Sequence, residues 1–359
     1  MKRIQLGNTV FEGENDVYLF DDGETTALVD TCVALPEVRE EFEAGLAEYG
    51  VEMADIDAVL LTHWHPDHSG LAGEVQAESD AHVFAHEADA PLVNGSETPF
   101  TEDPAEQHRV FGEWGLPDAK REGLMRFFEN VSADLAGPPA DVTTVSDGDR
   151  IVLGDAELEP VHLPGHTAGL VAYEFDPRNF PNHEPVGGDS GGEPREAFTG
   201  DALLPRYTPN VGGADTRVES PLAAYADSLA RMVGRNWDAA HPGHRERIDD
   251  PSRRAALILD HHRHRTRKVV EVLGEVDEGL TPWEVSAELF GELSEIHVLH
   301  GPGEAYAHLD HLADAGVVAC DPGTGTHGGD AYRLVEPDAD LDALFPETAF
   351  DDVVDGRDA

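Results

Sequence analysis

The chain has 359 residues, enough for one large or two unequal domains of the usual ~100–200 residues. Its 24 Lys and Arg against 73 Asp and Glu give a formal net charge of −49, the wrong sign for a nonspecific nucleic-acid coat or a basic membrane-surface protein. Apolar residues make up 40%, so a sizeable core can be filled, yet no run of 18 apolar residues offers a membrane-spanning helix.

Met1-Lys2-Arg3-Ile4-Gln5 lacks the apolar segment of a secretory signal. Asp16–Phe20 and Thr26–Thr31 read as strands separated by Asp21-Asp22-Gly23. Pro36 opens an amphipathic helix with Val38, Phe42, Leu46 and Tyr49 on one side and Gly50 as its stop. Ala58–Leu61 is a short apolar strand that runs straight into Thr62-His63-Trp64-His65-Pro66-Asp67-His68. Residues 100–136 are expected to be a helical insertion. Further strands follow at Arg150–Leu153, Leu158–Leu163 and Leu170–Phe175, and the Pro/Gly/Asp-rich stretch Asp176–Arg195 reads as a mobile loop. Strands followed by helices, twice over, suggest an α/β fold with two sheets face to face and helices outside.

A boundary is expected near residue 250, dividing a 1–250 body from a 251–336 body and an acidic tail, 337–359. Asp250-Pro251 caps a helix whose middle, His261–Lys268, is polar on every face and reads as solvated. Thr281-Pro282-Trp283-Glu284 is a capping box. A third helix is expected over Pro302–Ala315, and Val317–Cys320 with Ala331–Val335 form a hairpin. Three helices and a two-stranded ribbon are the plan of a winged helix. Cys32 and Cys320 are too few and too distant for a disulfide framework or a cysteine zinc site, so a reduced, cytoplasmic compartment is expected.

The strongest signal is His63-x-His65-x-Asp67-His68 at a strand end. Four ligand-type residues within six positions on a turn can point two ways, His63 and His65 to one side and Asp67 and His68 to a second position. Such a turn can seed two metals about 3.5–4 Å apart. Closing two sites needs three more ligands. His166 in Pro164-Gly165-His166, Asp201 in Thr199-Gly200-Asp201 and His244 in Pro242-Gly243-His244 each follow an apolar stretch and a glycine. Singly, each is an ordinary turn residue; as an ordered set after His63–His68 they read as ligands. His82, His86 and His162 read as packing or capping residues, His241 as inert, and His261, His262 and His264 as part of a solvated helix face. Gly187–Gly192 and Gly323–Gly329 lack the Lys-Ser/Thr ending of a phosphate loop.

This ordered set resembles the metallo-β-lactamase-fold superfamily over residues 1–250. The resemblance implies a four-layer αββα sandwich. It also implies that His63, His65 and His166 hold one metal, that Asp67, His68 and His244 hold a second, and that Asp201 bridges them. The C-terminal body resembles the winged-helix appendage of lactamase-beta-like protein 2 relatives. His65 stands where the flavo-diiron branch carries glutamate, which favours zinc hydrolysis over iron electron transfer. The winged helix replaces the helical tail of glyoxalase II, so glutathione is not the expected thiol.

Zinc suits these donors, two per chain, although iron or manganese is accepted by the same ligands. A hydroxide held between two zinc ions would be the nucleophile, with Asp67 both ligating and accepting its hydrogen bond. The expected reaction is hydrolysis of a small-molecule thioester, ester or lactone; the alternative is an endoribonuclease acting on single-stranded RNA. Pro302–Ala315 contains no Arg, Lys, Asn or Gln but does contain Glu304, Asp310 and Asp314, which argues against sequence-specific DNA readout. RNA could touch only Arg253-Arg254 and Arg263–Lys268. The domain is expected instead to wall the metal cleft and help pair subunits into a homodimer. Lysine occurs only at Lys2, Lys120 and Lys268, and carboxylates are spread along the whole chain. This composition resembles cytoplasmic proteins of salt-in halophilic archaea, where a Debye length of about 3 Å at molar salt removes the self-repulsion.

Overall fold

The computed structural model describes residues 1–7, 13–179, 183, 185 and 193–351. Of the expected loop Asp176–Arg195, residues 180–182, 184 and 186–192 lie outside them, as do residues 352–359 of the acidic tail. Two compact units divide the chain. The first comprises 1–97, 133–209 and 232–254, and the second 98–132, 210–231 and 255–359. The second unit is thus gathered from three segments, whereas the sequence reading divides the chain once, at 250; contacts between distant segments leave no local signal.

In the first unit, β1 (Lys2–Leu6), β2 (Asn15–Asp21), β3 (Thr26–Val29), β4 (Ala58–Leu60), β5 (His82–His86) and β6 (Val142–Val145) form one sheet in that order. β1 to β3 pair antiparallel, and β3 to β6 pair parallel. A second sheet holds β7 (Ile151–Leu153), β8 (Ala156–His162), β9 (Val171–Phe175), β10 (Glu196–Gly200) and β11 (Ala239–Pro242), in the order β11-β10-β9-β8-β7. Only the β10–β11 pair in it is parallel.

Strand alternation explains the core. Tyr18 and Phe20, Ala27 and Val29, Ala58 and Leu60 recur at i, i+2 and turn the same way. They meet Leu158, Val171, Tyr173, Phe175 and Phe198 of the second sheet in one buried cluster. The expected face-to-face sheets are therefore present, and the fold is α/β. Helix Pro36–Ala47 buries Val38, Phe42 and Leu46 at i, i+4 spacing, as its sequence predicts.

In the second unit, Val269, Leu273, Val285, Ala305, Leu309, Leu312, Val318 and Tyr332 form one core. Three helices contribute to it, Pro251–Gly274, Pro282–Phe290 and His297–Asp314. So does the antiparallel hairpin of β12 (Val318–Asp321) and β13 (Ala331–Leu334). The Thr281 capping box closes reciprocally: Thr281 Oγ1 accepts from Glu284 N at 3.3 Å, and Glu284 Oε2 accepts from Thr281 N at 2.9 Å.

Two expectations are corrected here. The third helix starts at His297 rather than Pro302, and Pro302 sits inside it. Proline is a common first-turn residue, which makes it a misleading start signal when the chain is already helical. The middle of helix Pro251–Gly274 is not solvated all round. His262 and Thr266 are buried, in line at i, i+4, i+7 and i+11 with Val269 and Leu273. Polar composition suggests a wet face here because the residues that bury this stripe lie far along the chain. Among the described residues, no helix is long and apolar enough to cross a membrane.

Candidate metal centre

All seven sequence-nominated ligands lie in the first unit, and the structure brings them together at one end of the two sheets. β4 delivers Thr62 and His63, and the short helix Pro66–Ser69 carries Asp67 and His68. His166 follows β8, Asp201 follows β10 and His244 follows β11. Backbone bonds across the sheets lock these ends in register. Val171 N donates to Thr62 O at 2.9 Å, Gly243 N to Gly200 O at 3.1 Å, and Asp16 N to Gly243 O at 2.8 Å.

The glycines before the ligands act in two ways. Gly200 has φ +47, a left-handed conformation that costs a residue with a side chain. Gly243 is set by space instead: a Cβ there would lie 2.4 Å from His68 Cε1 and 3.0 Å from Asp201 Oδ1.

Three donor groups emerge: His63 with His65 and His166; His63 with His68 and Asp201; Asp67 with His68 and His244. His65 Nδ1 lies 3.0 Å from His63 Nε2 and 3.1 Å from His166 Nε2. His68 Nε2 is 3.7 Å from Asp67 Oδ2 and 3.5 Å from Asp201 Oδ1. His244 Nε2 is 3.4 Å from Asp67 Oδ2 and 3.5 Å from Asp201 Oδ1. A tetrahedral zinc with bonds of about 2.0–2.1 Å sets its ligand atoms ~3.3–3.4 Å apart, close to this spacing.

The decisive test of fit is which atoms lack partners. His68 Nε2, His244 Nε2 and Asp201 Oδ1 are buried without a hydrogen bond. Buried polar atoms normally have one. Three orphans facing one another are what a cation would satisfy, and the donor set of imidazoles and carboxylates fits a divalent metal.

The electrostatics of the metal-free chain agree. Burial alone would raise the Asp67 carboxyl, but the charges of His68 and His244 hold it down at about 2. Asp201 is likewise driven well below the usual carboxylate range, by His244 and His68 against its burial. Burial would lower His68, yet Asp67, Asp201 and Asp30 push it up to about 9. His63 is held well below 6.5, chiefly by burial.

Sequence reasoning missed the residues that aim the ligands. Asp30 Oδ1 accepts from Thr62 N at 2.8 Å, and its Oδ2 accepts from Thr62 Oγ1 at 2.8 Å. Asp89 accepts from Thr167 Oγ1 at 2.8 Å and from Gly169 N at 2.9 Å. Asn15 Nδ2 donates to Asp67 O at 2.9 Å, and His244 Nδ1 donates to Glu14 O at 3.1 Å. Each is an ordinary strand-end or turn residue in the sequence. Of the other histidines, His86 stacks on His162 with ring centroids 4.0 Å apart. His241 donates from Nε2 to Glu196 Oε2 at 2.7 Å.

Residues 10–180 match the model of the metallo-beta-lactamase superfamily. The probable metallo-hydrolase YqjP of Bacillus subtilis is 25% identical over 305 residues, 84% of this chain and 88% of that protein. An atrochrysone carboxyl ACP thioesterase of Emericella nidulans is 21% identical over 275 residues, 76% of this chain and 64% of that one. The crystal structure of the metallo-beta-lactamase family protein TTHA1429 from Thermus thermophilus superposes with a TM-score of 0.74 at 27% identity, covering 93% of this chain and 98% of that chain. The fold, the ordered His/Asp set at one end of its sheets and these relatives agree: the chain carries a metallo-beta-lactamase superfamily domain, matched over residues 10–180.

Proposed function

We propose that the chain is a binuclear zinc-dependent hydrolase that cleaves a small-molecule thioester, ester or lactone. The observation that carries this reading is the convergence of His63, His65, Asp67, His68, His166, Asp201 and His244 around buried atoms that have no protein partner. Zinc is the metal of choice because imidazole and carboxylate are its usual donors and it tolerates an open position. Two zinc ions there would supply water activated near neutral pH and an electrophile for the acyl oxygen.

The chain itself supplies orientation and charge. Asp67, ionised and braced by Asn15, is placed to accept a hydrogen bond from the attacking water. Asp30 and the Glu14 carbonyl fix His68 and His244 through their Nδ1 atoms, so that both Nε2 atoms face the centre. Catalysis is assigned to residues 1–250. A thioester is preferred within the acyl class because a thiolate is a good leaving group and a relative is named as an acyl-carrier-protein thioesterase. A reducing, cytoplasmic setting is supported by Cys32 and Cys320, both free thiols.

Turnover of an acyl-thioester panel and of a fluorescent single-stranded RNA, in molar KCl with added zinc, tests the reading. Thioester hydrolysis that disappears in His63→Ala supports it. RNA cleavage that disappears in the same variant, with no acyl turnover, would replace it with the endoribonuclease. Helix His297–Asp314 speaks against the RNA reading: it has no Lys, Arg, Asn or Gln, and Asp310 and Asp314 would repel phosphate.

A further inference from the structure

We propose that His262, Glu304 and His308 form a separate site for one zinc-class divalent cation, structural in role, in the second compact unit. All three side chains are buried, and they come from two helices. His262 projects from Pro251–Gly274, while Glu304 and His308 sit at i, i+4 on one side of His297–Asp314.

The carboxylate-to-imidazole distance separates a metal site from a hydrogen-bonded cluster. His262 Nδ1 lies 3.4 Å from His308 Nε2, and Glu304 Oε1 lies 3.8 Å from each of them. An N–H···O bond is normally about 2.9–3.0 Å long, so the carboxylate oxygen is out of hydrogen-bonding range of both rings. The same three atoms approach the ~3.3–3.4 Å edges of a tetrahedral zinc shell. A second cluster of identical composition in the first unit provides the contrast. His183 Nε2 and His241 Nε2 donate to Glu196 Oε2 at 2.8 and 2.7 Å. That triad is satisfied by its own hydrogen bonds and needs no ion.

The surroundings of the second-unit cluster are also those of a ligand set. His308 Nδ1 is tied to Thr266 Oγ1 at 2.8 Å, which directs Nε2 and its lone pair inward. Val211 N reaches Glu304 Oε2 at 3.4 Å, leaving Oε1 toward the rings. Arg265 Nη1 also approaches Oε1, at 3.5 Å. His262 Nε2 is buried with no hydrogen-bond partner, so this ring has only the long contact to His308 to compensate its burial. A cation on Nδ1, the nitrogen that faces His308 and Glu304, would replace that long contact with a bond. Burial holds both imidazoles well below their usual range, hence neutral and free to ligate. With two imidazoles, one carboxylate and a fourth position for water, the site would cross-link the two helices.

The test uses the full chain carrying His63→Ala and His68→Ala, which breaks all three donor groups of the catalytic centre, and cobalt(II) as the probe. One cobalt per chain, with the intense visible absorption of four-coordinate cobalt, is expected. Adding Glu304→Gln or His308→Gln should remove that band and the bound cobalt. No stoichiometric cobalt in the double variant, or cobalt that survives both further substitutions, overturns the proposal. If the added substitutions prevent folding, the double variant decides through its melting temperature, which must rise when cobalt is added; an unchanged melting temperature overturns the site. None of these readouts depends on hydrolysis, so failure of the proposed activity leaves them intact.

Discussion

Asp30 Oδ2 lies 2.9 Å from His68 Nδ1, and the carboxylate thereby turns the other nitrogen of that ring toward Asp67 and Asp201. Asp30 is not a ligand, and its backbone is held at φ +60, an uncommon conformation for a residue with a side chain. It fixes the tautomer and angle of a ring proposed as a ligand.

Asp30→Asn should therefore leave the chain folded but weaken metal binding by about 10–100-fold, the usual cost of losing such a partner. Competition with a chromophoric chelator measures it. Affinity equal to wild type would show that the packing around His68, and not Asp30, orients the ring.

Gly243→Ala places a methyl group against His68 and Asp201, where 2.4 Å is available to the nearest atom. Backbone or ring must move, at a cost of about 1–3 kcal/mol for overpacking. Lower metal content and a lower melting temperature are expected together. A variant that crystallises with His68 unmoved and binds metal normally would contradict this.

Metal binding should release protons. His68 is pushed up to about 9, so in the metal-free chain it is protonated at pH 7 and must lose that proton to ligate. Affinity should thus rise with pH up to about 9 and fall below it. Calorimetry in two buffers of different ionisation enthalpy reads the proton count; a count of zero at pH 7 would refute it.

His86 carries the acid-side prediction. Burial, with His162 beside it, lowers its imidazole to about 4. Between pH 4 and 6.5 the unfolded chain therefore binds the proton and the folded chain does not, so stability rises with pH across that window. The slope from this one group cannot exceed about 1.4 kcal/mol per pH unit. Denaturant titrations of the metal-free protein at pH 4.5 and 6.5 should show His86→Gln losing part of the wild-type difference.

Much was legible before the structure. The strand at Ala58–Leu60 and its His-rich turn follow from local patterns, because strand periodicity and ligand-type spacing are both written in neighbouring residues, whereas His166, Asp201 and His244 stand out as candidates only as an ordered set after that turn. The buried stripe of helix Pro251–Gly274 was not legible. Residues 261–268 are polar by composition, and only Glu304 and His308, brought alongside by the fold, make His262 an interior residue.

By itself, then, the sequence determined which side chains could bind a metal and the turns that carry them, since both depend on short-range spacing. Which atoms face one another was decided only by the tertiary structure. The orientation of His68 by Asp30, the space denied by Gly243 and the gathering of the second unit from three segments all arise from contacts between residues far apart in the chain.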